Sequence, residues 1–135
     1  MSEFSEVKTE ELSGEALNWA VAIAESLTAF VSPPQYGNPH LVCVMPEHVH
    51  RGGYRYSPST DWSQVGPLIH KYQIEFCANS EDNHAMHASL SAWRRYGKSH
   101  RTRWSSGQDH LIAACRAIVA SVLGETVSVP KELLI

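Results

Sequence analysis

The residues of this chain best equipped for chemistry crowd into one stretch: Arg51, Tyr54, Arg55, Tyr56, Ser57, Ser59, Thr60, Asp61 and Trp62. Its hydroxyls and carboxylate stand directly before a run with helical spacing. They are placed to cap the free N–H groups of a helix start, and a helix start also attracts anions. Two arginines add charge, and Tyr54, Tyr56 and Trp62 add rings on which a planar group can stack. These residues describe a candidate site for a small anionic, nucleotide-like ligand. The plainer role of the same turn is a helix cap worth about 1 kcal/mol.

A second concentration lies between Trp93 and Trp104. Arg94, Arg95, Lys98, Arg101 and Arg103 supply five of the eleven Lys and Arg residues, with no acid among them. Interleaved with Trp93, Tyr96 and Trp104, they form the mixture of cations and rings used by single-strand and RNA binders. Nucleic-acid binding through this segment is the alternative function, set against an exposed solvated loop. A third expectation is a homo-oligomer or an adaptor for a host protein, with the aromatics forming the interface.

Catalysis has less support. His48 and His50 share one side of an extended segment next to Glu47, and His84 and His87 are close in sequence, but a third ligand at fixed spacing is missing, so neither a metal nor another cofactor is expected. Cys43, Cys77 and Cys115 are flanked by apolar residues and form no C-x-x-C pair, the pattern of buried, reduced thiols that burial makes inert. Neither a Gly-x-Ser-x-Gly elbow nor a Gly-x-x-x-x-Gly-Lys phosphate loop occurs. A catalytic residue is not assigned.

The elements that must position these groups follow from periodicity. Residues 5–9 suggest a short edge strand. Ser13 is placed to cap a first helix, with Leu12, Ala16, Trp19, Ala20, Ile23 and Leu27 as its apolar stripe and Asn18 and Glu25 on the other side. Residues 32–39, rich in Pro, read as a connecting loop, and Leu41–Met45 as a buried strand. Tyr54–Tyr56 is a short strand leading into a helix over about 61–72. Pro67 makes its first turn irregular, or moves its regular part to about Gly66 with Ser63 or Gln64 as cap. Residues 73–77 and 85–93 read as a hairpin around a turn at 79–83, with a helix as the competing reading of 85–93 because Ala, Leu and Met favour it. The last helix has Ser106 and Asp109 resembling a capping box, an apolar face from Leu111 to Leu123, and Gly124 as its terminating glycine. Val127–Val129 adds a strand or loop before a terminal turn in which Leu133 and Leu134 pack back.

The 135 residues are expected to form one domain of α/β (α+β) class, a small sandwich of an antiparallel or mixed sheet of about four short strands against three helices. A doubly wound nucleotide fold is disfavoured, because strand, crossover helix and strand do not repeat and no glycine fingerprint follows a strand. The net charge of −3 argues against a surface that coats nucleic acid as a whole. An acidic N-terminus without an apolar run, and no apolar segment of bilayer length, point to a protein that is neither exported nor membrane-bound.

Three separated motifs carry a family resemblance. They are Lys8-Thr9 with Leu12-Ser13-Gly14 and Ala16 through Ala22; Tyr56 through Trp62 with Gly66-Pro67-Leu68-Ile69; and Leu111 through Arg116 with Val119-Ala120-Ser121, Leu123-Gly124, Val127, Val129-Pro130 and Glu132-Leu133. In this order they resemble the NinX-like family of small phage and prophage proteins, across nearly the whole chain. The resemblance implies a small α/β sandwich made in the cytoplasm of a bacterial host, with no established activity or catalytic residues. Between Ile74 and Ser106 the chain departs from the family pattern. There Met86-His87-Ala88 and the basic segment replace a Trp-x-Ala strand and an acidic or neutral loop. Binding without turnover would suit a phage product that sequesters a host defence signal.

Overall fold

The computed structural model describes residues 3–37, 39–45, 53–78, 85–90 and 104–134. Strand β1 (Phe4–Lys8) leads through a 3₁₀ turn (Thr9–Glu11) into helix α1 (Gly14–Ala24). Strands β2 (Thr28–Ser32), β3 (Leu41–Met45) and β4 (Tyr54–Arg55) follow, then α2 (Trp62–Tyr72). The chain continues with β5 (Ile74–Ala78), β6 (Met86–Leu90), β7 (Ser105–Gly107), α3 (His110–Val122), β8 (Thr126–Pro130) and a closing 3₁₀ turn (Lys131–Leu134).

The α+β class expected from the sequence is the class observed, and every strand pair among the described residues is antiparallel. The eight described strands are divided among three small sheets, ordered β1-β8, β2-β3-β4 and β5-β6-β7, where one sheet of about four strands was expected. The difference starts at β2. Thr28, Phe30 and Val31 prefer a pleated surface, and they pair with β3 in the register Thr28↔Met45 to Ser32↔Leu41, a strand where the sequence reading placed no element. Strand β7 is also new: Ser106 pairs with His87, and the cap of α3 is Asp109 alone, its carboxylate accepting from the Ile112 amide at 2.9 Å.

Helix α1 is covered almost all round. Ala16 through Ala22 are buried without interruption, Leu17 and Val21 completely, because β2, β3, β8 and α3 pack on different faces of the helix. Two expectations reverse as a result: Asn18 is buried at 1% exposure, and Ile23 reaches solvent at 38%. Helix α3 brings Ala114, Cys115 and Val119 into the same core and lays Ala113 and Ala117 on the sheet under Ala88 and Leu90. Its end is the expected one. Gly124 takes φ 98°, a left-handed value that favours glycine, and its amide reaches the carbonyls of Val119 and Ala120. Gly107 lets β7 approach α3, since a Cβ there would stand 2.6 Å from the Ala113 amide nitrogen.

Helix α2 is a single helix that contains Pro67, with Asp61 as its cap and a first turn tightened by the Gln64 amide, which bonds Asp61 O at 3.1 Å. Val122 and Leu134 are more exposed than their place in apolar runs suggested, at 38% and 43%. Among the described residues no helix is long and apolar enough to cross a membrane.

The burial pattern yields a stability contrast. Leu17→Ala should destabilise the fold by about 2–5 kcal/mol through the lost contacts and the cavity left behind, whereas Ile23→Ala on the same helix should cost less than about 1 kcal/mol. Urea unfolding of the two variants checks this.

Candidate functional site

The sequence-selected turn is reached through β4, whose Arg55 pairs with Cys43 and whose Tyr54 pairs with Val44. Arg55 projects to the first turn of α1. Its NH1 meets Glu15 Oε1 at 2.8 Å and its NH2 meets Glu15 Oε2 at 2.5 Å, a two-point pairing. NH1 also donates to the carbonyls of Val42 and Tyr56, at 3.2 and 3.0 Å. Glu15 Oε1 further accepts from the Val42 amide at 2.9 Å, and Asn18 Nδ2 donates to Oε2 at 3.3 Å. The buried Asn18 then uses Oδ1 to accept from the Ser59 amide at 3.0 Å and the Ser59 hydroxyl at 2.7 Å.

The rest of the turn is also closed on itself. Gln64 accepts from the Ser57 amide at 2.6 Å and donates to Arg55 O at 2.8 Å. Asp61 accepts from the Ser63 amide and hydroxyl at 2.9 and 2.7 Å, so a carboxylate already occupies the start of α2. Thr60 bonds back to Ser57 O. Tyr56 is buried, and burial pushes its phenol well above the usual range, with the Glu25 carboxylate adding to the rise. Of the nine candidate residues, Tyr54 and Trp62 keep large exposed rings, at 48% and 56%. Trp62 leans on His110, ring centres 6.1 Å apart, and His110 on Phe76 at 5.0 Å, joining the starts of α2 and α3 to β5. Arg55, Ser57, Ser59 and Asp61 therefore act on their own chain, and Arg51 lies outside the described residues.

For the basic segment, Trp93, Arg94, Arg95, Tyr96, Lys98, Arg101 and Arg103 lie outside the described residues, as do Glu47, His48, His50 and His84. Trp104 is described. It is 42% exposed and meets His87 of β6 in a T-shaped contact, ring centres 6.5 Å apart at 74°. Among the described residues no group of three His, Cys, Asp or Glu side chains could hold a metal. The cysteines divide: Cys115 is buried and desolvation pushes its thiol up to about 12, Cys43 is half-buried and also raised chiefly by desolvation, and Cys77 faces solvent, contrary to expectation, because it lies on the outer side of β5.

A groove of about 720 Å³ opens where the end of β1, the first 3₁₀ turn and the start of β8 face α3 and β7. Its cations are Lys8 and Arg116, its ring is Trp104, its hydroxyls include those of Ser105, Ser106 and Ser121, and Glu10 and Glu125 stand on the same lining. Arg116 projects from α3. Its Nε donates to Leu12 O and its NH1 to Ser106 O, each at 2.9 Å. Both acceptors are neutral carbonyls, and neither Arg116 nor Lys8 has an ion pair among the described residues. Partial burial without a carboxylate lowers the Arg116 guanidinium below its ordinary value. A half-desolvated cation with free N–H groups next to a second cation and a ring can take an oxyanion carried on a planar body. Sequence reasoning passed over Arg116 and Lys8 as ligand contacts; the available signal was one cation inside a helix otherwise dominated by apolar residues.

With this geometry described, comparison with known families finds a match over residues 8–122 to the one described as "Bacteriophage P22, NinX". The chain belongs to the NinX family. The match begins at Lys8 and contains Trp104 and Arg116. Among curated proteins nothing matches the chain.

Two variants separate structural from dispensable polar groups. Asn18→Ala should destabilise by about 1–3 kcal/mol, because it strands the buried Ser59 amide and hydroxyl, while Thr60→Ala on the exposed rim should stay within about 0.5 kcal/mol. Denaturant titration is the measurement. At pH 8 a thiol reagent should label Cys77 rapidly in the native protein and reach Cys115 only on unfolding, and peptide mapping after timed labelling reads the order.

Proposed function

We propose that this phage-family protein is a non-catalytic binding module for a small anionic, nucleotide-like ligand, and that the ligand occupies the groove between β8 and α3, not the turn before α2. The observation that carries the reading is Arg116: a partly buried guanidinium whose protein partners are two carbonyls, facing a cavity of nucleotide size beside Lys8 and Trp104. A phosphate would complete the charge pairing that the protein leaves open. Trp104 offers a face for a base, and Glu10 is suited to accept from sugar hydroxyls or base amino groups. In a phage product, capture without turnover would withdraw a nucleotide signal used in host defence.

Titration calorimetry with adenosine 5′-monophosphate, then a panel of mononucleotides and cyclic dinucleotides, tests this reading. Lys8→Ala, which removes an exposed cation without breaking an ion pair, should weaken binding roughly tenfold, and Arg116→Gln should weaken it further. Absence of heat for the wild-type chain across the panel, or unchanged affinity in both variants, would overturn it.

Nucleic-acid binding is the second reading, favoured by the position of Trp104: it lines the same groove and directly follows the basic segment in sequence. Salt separates the two. One phosphate contact gives a shallow dependence of affinity on salt, whereas several contacts along a strand give a steep one, with retention on a DNA column at low salt.

A further inference from the structure

The three-stranded sheet β5-β6-β7 places one row of side chains across its outer face: Cys77, His87 and Ser106 are direct cross-strand partners. The neighbouring residue Ala88 points the other way and is fully buried in the cluster with Ala113 and Ala117 of α3. His87 therefore projects from the face opposite α3, where it is half-buried and touches Trp104. Trp104 itself comes one residue before β7 and lines the groove, while His87 is outside that lining. A ring at the entry of a short strand keeps one staggered rotamer through the contacts made on it, and Trp104 and Arg116 line the same groove.

We propose that His87 is a positioning residue for ligand recognition: its T-shaped contact holds the Trp104 ring as the wall on which the base of a nucleotide stacks, while Arg116 and Lys8 take the phosphate. The inference rests on the nucleotide reading of the groove and assigns its two halves different supports. The phosphate end is fixed from α3 and β1; the base end is fixed from β6 through an edge-to-face aromatic contact. His87 touches no ligand in this arrangement. It is one of the contacts that hold the Trp104 ring before a ligand arrives, a gain by pre-organisation.

The division makes a ligand-dependent prediction. Calorimetry on the full chain compares adenosine 5′-monophosphate with ribose 5-phosphate, which has the phosphate but no base. His87→Ala should weaken the nucleotide roughly tenfold and leave ribose 5-phosphate unchanged, and His87→Phe, which keeps a ring edge against Trp104, should restore nucleotide affinity to within about twofold. Equal weakening of both ligands would mark His87 as a general structural residue and overturn the proposal, as would unchanged nucleotide affinity in His87→Ala. If the wild-type chain binds ribose 5-phosphate and the nucleotide with the same affinity, the stacking wall is refuted while the phosphate site stands. If it binds neither, the nucleotide reading falls and this inference falls with it.

Discussion

The Glu15 carboxylate is the point on which the architecture turns. It sits in the first turn of α1 and collects the Arg55 guanidinium from β4, the Val42 amide from β3 and the Asn18 amide from its own helix. A partly buried carboxylate is costly unless its lone pairs are met, so these three segments must arrive together. The consequence spreads along the chain. Asn18 passes the constraint to Ser59, the turn ends at Asp61, and Asp61 starts α2 with Trp62 against His110 of α3. As a surface ion pair the Arg55–Glu15 contact would be worth about 1 kcal/mol or less, and its weight lies in fixing the angular setting of a helix whose apolar surface has little polarity of its own to orient it.

Much of the element order was readable because it rests on local periodicity and breakers. The apolar run Leu41–Met45, the helix after Asp61, the hairpin built on Ile74–Ala78 and Met86–Leu90, and the helix ended by Gly124 all carry their own signals. What could not be read locally was set by distant partners. Asn18 looks like a surface residue in a helix stripe until Ser59 arrives from 41 positions away. Residues 28–31, between the first helical stripe and the Pro-rich loop, carry no element of their own until β3 pairs with them, and Ser106 looks like a cap until His87 does. The division of the strands into three sheets is likewise a property of pairings that no window of sequence contains.

The candidate site shows the same limit in chemical form. Arg55 and Arg116 are the same residue type, each half-buried and each near main-chain carbonyls. Arg55 has a carboxylate at ion-pair distance and its charge is answered within the fold; Arg116 has none, and its charge remains available. Counting hydroxyls, rings and cations identified the turn before α2 as the richer stretch, and it is richer. Arg55, Ser59 and Asp61 are occupied within the fold, and availability is decided by partners in space. The sparser set around Arg116 is drawn from positions 8 to 126, which is why it has no signature in sequence.

The pairing of β1 with β8 has a kinetic meaning. Val7 opposite Val127 and Lys8 opposite Thr126 are among the most sequence-distant contacts in the fold, and contacts of high sequence separation pay their loop-closure entropy before they return any stability. The groove is assembled from this same junction, so it exists only once β1 and β8 have paired. A molecule bound there would add its binding free energy to the folded state by mass action, on top of the β1–β8 ladder, the Thr9 bonds to Gly124 and Glu125, and the packing of β8 on α1 that already hold the junction.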